Sequence, residues 1–245
     1  MILTQPWPVR SARTSWLVAT AICVALLAGL AIFDAQISHF GRSLPASVVT
    51  VFAWITRLGE SDYIVIPSLV MLIAVAGLAL VLRRPAVKRA LWQMSGVWAF
   101  VLAGVGLPSL FTTLVKRLIG RSRPELIDTV GPFDFRTMSW LDWAYQSFPS
   151  GHATTAFALC FTVSFLLPRS FPWMLALAVL IALSRIVVGA HYPTDVIGGA
   201  VVGTLGAYLV RNAFVALGWV FRRQPDGSIA RRPLVAVARL LRRRA

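Results

Sequence analysis

The length of its uninterrupted apolar runs constrains this chain more than any other feature. Crossing about 30 Å of hydrocarbon takes roughly 20 residues, within a range of about 17 to 25. Six stretches, 15–33, 63–82, 91–114, 152–167, 171–189 and 194–221, meet or approach that length. The fourth is short, and the last is long enough to tilt or run past the interface. The expected fold is therefore all-α: a six-transmembrane helix bundle with short loops. The stretch 46–58 is apolar but too short to span alone, and reads as an interfacial or re-entrant helix. Composition excludes a soluble domain, since 58% of the 245 residues are apolar and 13% charged, against roughly half and a quarter in soluble proteins. A signal peptide is the rival reading of the first run, because Arg10 and Arg13 precede it. Its apolar core is too long for that, and no clear small-residue cleavage site follows. Residues 1–245 thus read as one membrane domain ending in a basic tail, 222–245.

A formal charge of +15 would point to nucleic acid in a soluble chain. Here most of the arginine flanks apolar runs, so anionic lipid headgroups are the expected partner and nucleic acid is not. If the six passes alternate from a cytoplasmic N-terminus, one side collects Arg10, Arg13, Arg83, Arg84, Lys88, Arg89, Arg169, Arg211 and the arginines after Val220. That is the larger share of the positive charge, which places both termini in the cytoplasm. Leu234, Val235, Val237, Leu240 and Leu241 among the tail arginines suit an amphipathic helix on an anionic leaflet, with a disordered basic tail as the alternative. Cys23 and Cys160 sit inside apolar runs and read as small buried hydrophobes. Gly199 and Gly203 form a small-xxx-small pair that lets helices approach closely.

The polar chemistry gathers in three islands, 116–124, 149–152 and 184–195. The first carries Lys116, Arg117, Arg121 and Arg123 and ends at Pro124, a concentration of cations suited to an anion. In the second, Pro149-Ser150-Gly151-His152 runs into a helix, where backbone N–H groups, a permissive glycine and a hydroxyl make an anion cradle. An ordinary helix cap by Ser150 is the alternative. In the third, Ser184-Arg185 interrupts an apolar run, and a charge there is a functional-site signal by default. His191 follows, with Asp195 four residues on. A carboxylate at that reach accepts the proton of one ring nitrogen and leaves the other free to attack, although Asp195 also suits a cap on the last span. The topology puts Lys116, His152, Arg185, His191 and Asp195 at helix ends on one outward face, so the active site is expected at the extracytoplasmic surface.

These residues resemble the type 2 phosphatidic acid phosphatase superfamily, the lipid phosphate phosphatases, in its integral membrane branch. Its signature is Lys, six residues, Arg-Pro; then Pro-Ser-Gly-His; then Ser-Arg, five residues, His, three residues, Asp. Every position is filled, by Lys116 with Arg123-Pro124, by Pro149-Ser150-Gly151-His152, and by Ser184-Arg185 with His191 and Asp195. The resemblance implies that His191 is a nucleophile forming a phosphohistidine, that Asp195 orients it and that His152 protonates the leaving oxygen. It implies equally that Lys116, Arg123, Ser150, Gly151 and Arg185 bind the phosphoryl oxygens. Two histidines in opposite protonation states should give a bell-shaped rate against pH. The islands lack the clustered carboxylates of a two-metal site, so no metal or cofactor is expected.

The implied activity is hydrolysis of a lipid phosphate or diphosphate in a bacterial inner membrane. The motifs report the phosphate and not the tail, leaving undecaprenyl diphosphate, phosphatidylglycerol phosphate, phosphatidic acid and lipid A as candidates. An outward site and a short 125–147 loop favour an envelope carrier lipid. Trp140, Trp143 and Tyr145 in that loop are expected at the headgroup level. Phosphotransfer to another lipid or sugar would use the same residues. A transporter or scaffold binding anionic lipid would explain the cations but leave both histidines and Asp195 without a task.

Overall fold

The computed structural model describes residues 2–9 and 13–242, so Arg10, Arg243 and Arg244, counted above as cytoplasmic charges, lie outside the described residues. Helix α1 (Arg13–Ala31) is followed by α2 (Asp34–Arg42), α3 (Ala46–Arg57), α4 (Asp62–Val81) and α5 (Pro85–Ile119). A one-turn helix, α6 (Ile127–Val130), interrupts the loop before α7 (Gly151–Leu166), α8 (Phe171–Val187) and α9 (Pro193–Ala216). Antiparallel strands β1 (Phe221–Arg223) and β2 (Ile229–Arg231) and helix α10 (Val235–Arg242) complete the described chain.

Among the described residues, five helical stretches are long and apolar enough to cross a membrane: Thr14–Ala31, Ala46–Val81, Pro85–Ile119, Pro168–Val187 and Pro193–Ala216. The fourth expected span is α7, apolar but only 16 residues long, or about 24 Å at 1.5 Å per residue. Its position explains the length. It packs against α5, α8 and α9 and is buried on most of its surface, so its sides meet protein rather than lipid. Elsewhere the outward faces are apolar, with Leu17, Ile22, Ile66, Ile73, Leu80, Phe111 and Leu209 all exposed, as lipid-facing residues are.

Helix α5 has 35 residues, about 52 Å, and overruns the expected span 91–114 at both ends. Its first turn holds Pro85, whose fixed φ suits an N-terminus. It ends where Gly120 turns left-handed at φ 65°; a side chain there would run into the Arg136 carbonyl. Lys116 therefore stands on the last turn of this helix. The stretch 46–58 is helical as α3, and it packs on α8.

Helices α7 and α9 approach so closely that Cβ atoms on Gly199 and Gly203 would collide with the carbonyls of Ser150 and Thr154. This contact sets the second island against the start of α9. At the other end, Phe100, Phe161, Phe165, Tyr208 and Phe214 form an aromatic core. Phe221 joins it, its ring 4.7 Å from that of Phe100. The last helix accordingly stops at Ala216 rather than running to Phe221: Gly218 turns the chain at φ 69° and β1 begins. The hairpin is a departure from the all-α expectation.

Arg211 is a second departure. Instead of reaching headgroups it is buried at 1% exposure, donating to the carbonyls of Leu3, Gln5 and Pro6. It ties the segment before α1 to the end of α9. Helix α10 docks on α5, where the Ala236 N–H donates to Gln93 Oε1 at 3.0 Å. Cys160 is buried, whereas Cys23 is only half-buried.

Candidate active site

The three islands meet at one end of the bundle. Lys116 comes from the end of α5, His152 from the start of α7, Arg185 from the end of α8 and Asp195 from the start of α9. His152 lies within electrostatic reach of Arg185, His191, Lys116 and Arg123 together. The Lys116 ammonium stands over the N-terminus of α7, 3.6 Å from where a Cβ on Gly151 would lie. Ser150 precedes that helix, but its hydroxyl does not cap it: the oxygen is buried without a hydrogen-bond partner among the described residues. A buried hydroxyl in that state is open to a ligand. Its own N–H donates to the Asp195 carbonyl at 2.9 Å, coupling the second and third islands.

His191 sits in the loop between α8 and α9 at 2% exposure. Its N–H donates to the Arg185 carbonyl at 3.2 Å. Its Nδ1 faces Asp195 Oδ2 at 3.6 Å, within ion-pair range but longer than a hydrogen bond. Asp195 is wholly buried and heavily engaged. Its Oδ2 accepts from the Ser147 hydroxyl at 2.5 Å and from the Tyr192 N–H at 2.9 Å. Its Oδ1 accepts from Arg121 Nη1 at 2.6 Å. The last-span cap and the histidine partner are thus one carboxylate serving both ends.

Arg121, counted above among the anion-binding cations, is spent inside the protein. Its Nη2 donates to Asp34 Oδ2 at 2.8 Å, Nη1 also to Thr194 Oγ1 at 2.7 Å, and its guanidinium lies 4.4 Å from the Tyr192 ring centre. Burial works to lower its pKa, and Asp195 and Asp34 overrule that effect, leaving it raised. Asp34, on α2, additionally accepts from the Thr194 hydroxyl at 2.5 Å. Sequence reasoning missed Asp34, Ser147 and Thr56.

The other cations stay uncommitted. Among the described residues, Lys116, Arg123 and Arg185 form no ion pair. Arg123 donates only to carbonyls, that of Trp143 at 3.0 Å and those of Ala190 and Gln146 at 3.4 Å. Its guanidinium lies 4.2 Å from the Trp143 ring centre, and burial lowers its pKa. Arg185 Nη1 donates to Thr56 Oγ1 of α3 at 2.6 Å while its Nε is buried without a partner. Arg117 turns toward Trp140. Of the loop aromatics, Trp140 and Trp143 are exposed, whereas Tyr145 is buried against Arg136 and donates to Asp134 Oδ2 at 2.8 Å. Three buried or half-buried cations without counter-ions, an unbonded serine hydroxyl and a helix N-terminus are together the kinds of donor that an oxyanion site uses.

Burial pushes the His191 pKa down to about 3, ahead of the opposing pull of Asp195. The ring is therefore neutral, with a free lone pair, around neutral pH. In histidine-labelled protein in detergent, nitrogen chemical shifts of His191 are expected to stay those of a neutral imidazole through pH values near the ordinary 6.5. Since the unfolded chain takes up this proton first, the neutral burial of His191 contributes fully above about 6.5 and is lost as pH falls toward about 3. A midpoint near 6.5 in the folded protein would overturn this.

The family model described as the PAP2 superfamily matches residues 96–219. The lipid A 1-phosphatase of Rhizobium johnstonii is 33% identical over 204 residues, 83% of this chain and 82% of that protein. The protein of the same name from Rhizobium etli is 31% identical over 221 residues, 90% of this chain and 92% of the relative. Among solved structures, the transmembrane PAP2 type phosphatidylglycerolphosphate phosphatase of Bacillus subtilis aligns at a TM-score of 0.49 and 22% identity, covering 80% of this chain and 96% of that one. The family match covers half the sequence and contains all three islands, and the relatives run along nearly its whole length; the chain belongs to the PAP2 superfamily and is a membrane phosphatase.

Proposed function

We propose that this protein is a lipid phosphatase that removes the anomeric phosphate of lipid A through a phosphohistidine on His191, at the extracytoplasmic face of a bacterial inner membrane. The observation that carries the chemistry is the convergence of Lys116, Arg123, Arg185, His152 and the buried His191–Asp195 pair at one end of the bundle. The substrate rests on the two lipid A 1-phosphatases that match along most of their length. They move the reading away from the carrier lipid favoured by the outward site and the short loop.

In this mechanism the phosphate oxygens lie among Lys116, Arg123, Arg185, the Ser150 hydroxyl and the Gly151 N–H. Asp195 holds the proton on Nδ1 of His191, so the lone pair on Nε2 attacks phosphorus. The P–Nε2 bond forms as the bond to the sugar oxygen breaks, and His152 delivers its proton to that oxygen. His152, now neutral, takes a proton from water; the water oxygen attacks phosphorus, inorganic phosphate departs and His191 is restored. Fixed cations around the spreading charge supply the stabilisation that phosphoryl transfer chiefly needs.

The test is phosphate release by purified protein in detergent from lipid A, undecaprenyl diphosphate, phosphatidylglycerol phosphate and phosphatidic acid. The expected result is the highest kcat/KM on lipid A, by about tenfold or more, with loss of the 1-phosphate alone, since a site contacting the leaving group discriminates by at least this order. Preference for any of the other three would overturn the substrate assignment.

A further inference from the structure

Beside His152, where α3 gives way to α4, lies a cavity of about 200 Å³. Its wall is made by Glu60, Asp62, Ser109, Thr113, Thr155 and His152, with Ser61 and two glycines filling the rest. No aliphatic or phenyl side chain lines it, although α4 and α7 are otherwise among the most apolar elements of the chain. Gly59 closes it against the imidazole: a Cβ there would lie 3.1 Å from His152 Cδ2. The hydroxyls of Ser109 and Thr155 are 3.1 Å apart, and Thr113 donates to the Ser109 carbonyl at 2.9 Å. The volume is smaller than the roughly 300 Å³ at which pockets for whole drug-sized molecules begin.

We infer that this cavity is the leaving-group subsite and that it takes a neutral, hydroxylated ring, the sugar of a glycosyl phosphate. The inference rests on the proposed role of His152 as the acid for the leaving sugar oxygen, and deepens it by naming the residues that would hold that sugar. Acyl or prenyl chains meet no leucine, isoleucine, valine or phenylalanine side chain in the cavity. A phosphate finds the wrong charge, because Glu60 and Asp62 stand at its mouth, with Glu60 within electrostatic reach of Arg185. Carboxylates and hydroxyls thus line the space beside His152 that would face the departing group, while the cations near His152 are those proposed to hold the transferred phosphoryl group. Carboxylates accept hydrogen bonds from sugar hydroxyls, and hydroxyl side chains both give and accept them. The leaving group of a polyprenyl diphosphate is itself an anionic phosphate, and in this position it is repelled.

The test uses the full chain in detergent and two tail-free probes, N-acetylglucosamine 1-phosphate and butyl phosphate, beside lipid A and undecaprenyl diphosphate. Combining Glu60→Gln with Asp62→Asn should lower the kcat/KM ratio of N-acetylglucosamine 1-phosphate to butyl phosphate by about tenfold or more, the scale of lost hydrogen bonds to a substrate hydroxyl. The same variant should shift the ratio of lipid A to undecaprenyl diphosphate in the same direction, since the repulsion of an anionic leaving group is removed. Thr113→Val, nearly isosteric and uncharged, should lower the first ratio too, which guards against misfolding of the charge variants. Proportional changes on all four substrates would overturn the subsite. Wild-type protein that spares lipid A but prefers N-acetylglucosamine 1-phosphate to butyl phosphate in a Glu60-dependent way would overturn the lipid A assignment and leave the subsite standing.

Discussion

Replacing His191 with alanine is expected to remove phosphate release almost entirely, on the order of the million-fold loss that follows deletion of a covalent nucleophile. The residue is 2% exposed, so alanine leaves a small polar void beside Asp195. Its carboxylate keeps Arg121, Ser147 and the Tyr192 N–H as partners, and the protein should still fold. His152→Ala is expected to behave differently. Loss of a general acid costs about 10²- to 10⁴-fold, and less when the leaving group needs no proton. A phosphoryl donor with an acidic leaving group, such as p-nitrophenyl phosphate, should therefore still label His152→Ala on His191. Brief incubation with a ³²P-labelled donor, followed by denaturation in base, should trap an acid-labile, base-stable adduct in wild type and in His152→Ala but none in His191→Ala. Turnover surviving in His191→Ala, or an unchanged adduct on it, would end the phosphohistidine assignment.

The part of this site that sequence made legible is the part written in residue type and spacing. Lys116, Arg123, Ser150, Gly151, His152, Arg185, His191 and Asp195 are each unusual in an apolar run, and the bundle does bring their neighbourhoods together. Asp34 was not legible. It follows the first apolar run beside Ala35 and Gln36, where a carboxylate looks like an interfacial residue, and its partner Arg121 is 87 positions away. Arg121 itself was misjudged because a charge count cannot tell a cation awaiting a ligand from one already neutralised. The overlong α5 escaped for a related reason: Lys88, Arg89 and Gln93 end the hydrophobic pattern, but a helix leaving the bilayer needs no apolar residues to continue. The β-hairpin did leave a signal, since Asp226-Gly227 between short alternating stretches is hairpin-turn chemistry. The positive charge around it drew attention to the membrane surface instead.

The buried network behind the nucleophile predicts a large effect from a residue that never touches phosphate. Arg121 joins two carboxylates that are both fully buried, Asp34 and Asp195, at 2.8 and 2.6 Å. Arg121→Ala leaves both without their cation, and breaking a buried ion pair in this manner costs about 3 to 5 kcal/mol. Asp195 would then be the only strong anion beside His191, free to relax its orientation or to take up a proton, so the nucleophile loses its fixed tautomer as well as its support. The expected outcome is a lower unfolding midpoint in detergent together with at least a hundredfold loss of kcat, while KM changes little because the phosphate ligands are untouched. Lysine should restore little, since a single ammonium cannot reproduce a planar fork donating to Asp34, Thr194 and Asp195 at once. Asp34→Asn should be milder than Arg121→Ala: it keeps an oxygen for Thr194 and leaves the Arg121–Asp195 pair intact. Were Arg121 instead a phosphate ligand, as its place in the first island suggests, Arg121→Ala would raise KM and leave the unfolding midpoint where it was. The split between KM and kcat, read beside the midpoint, therefore separates a cation that holds substrate from one that holds the carboxylate behind the nucleophile.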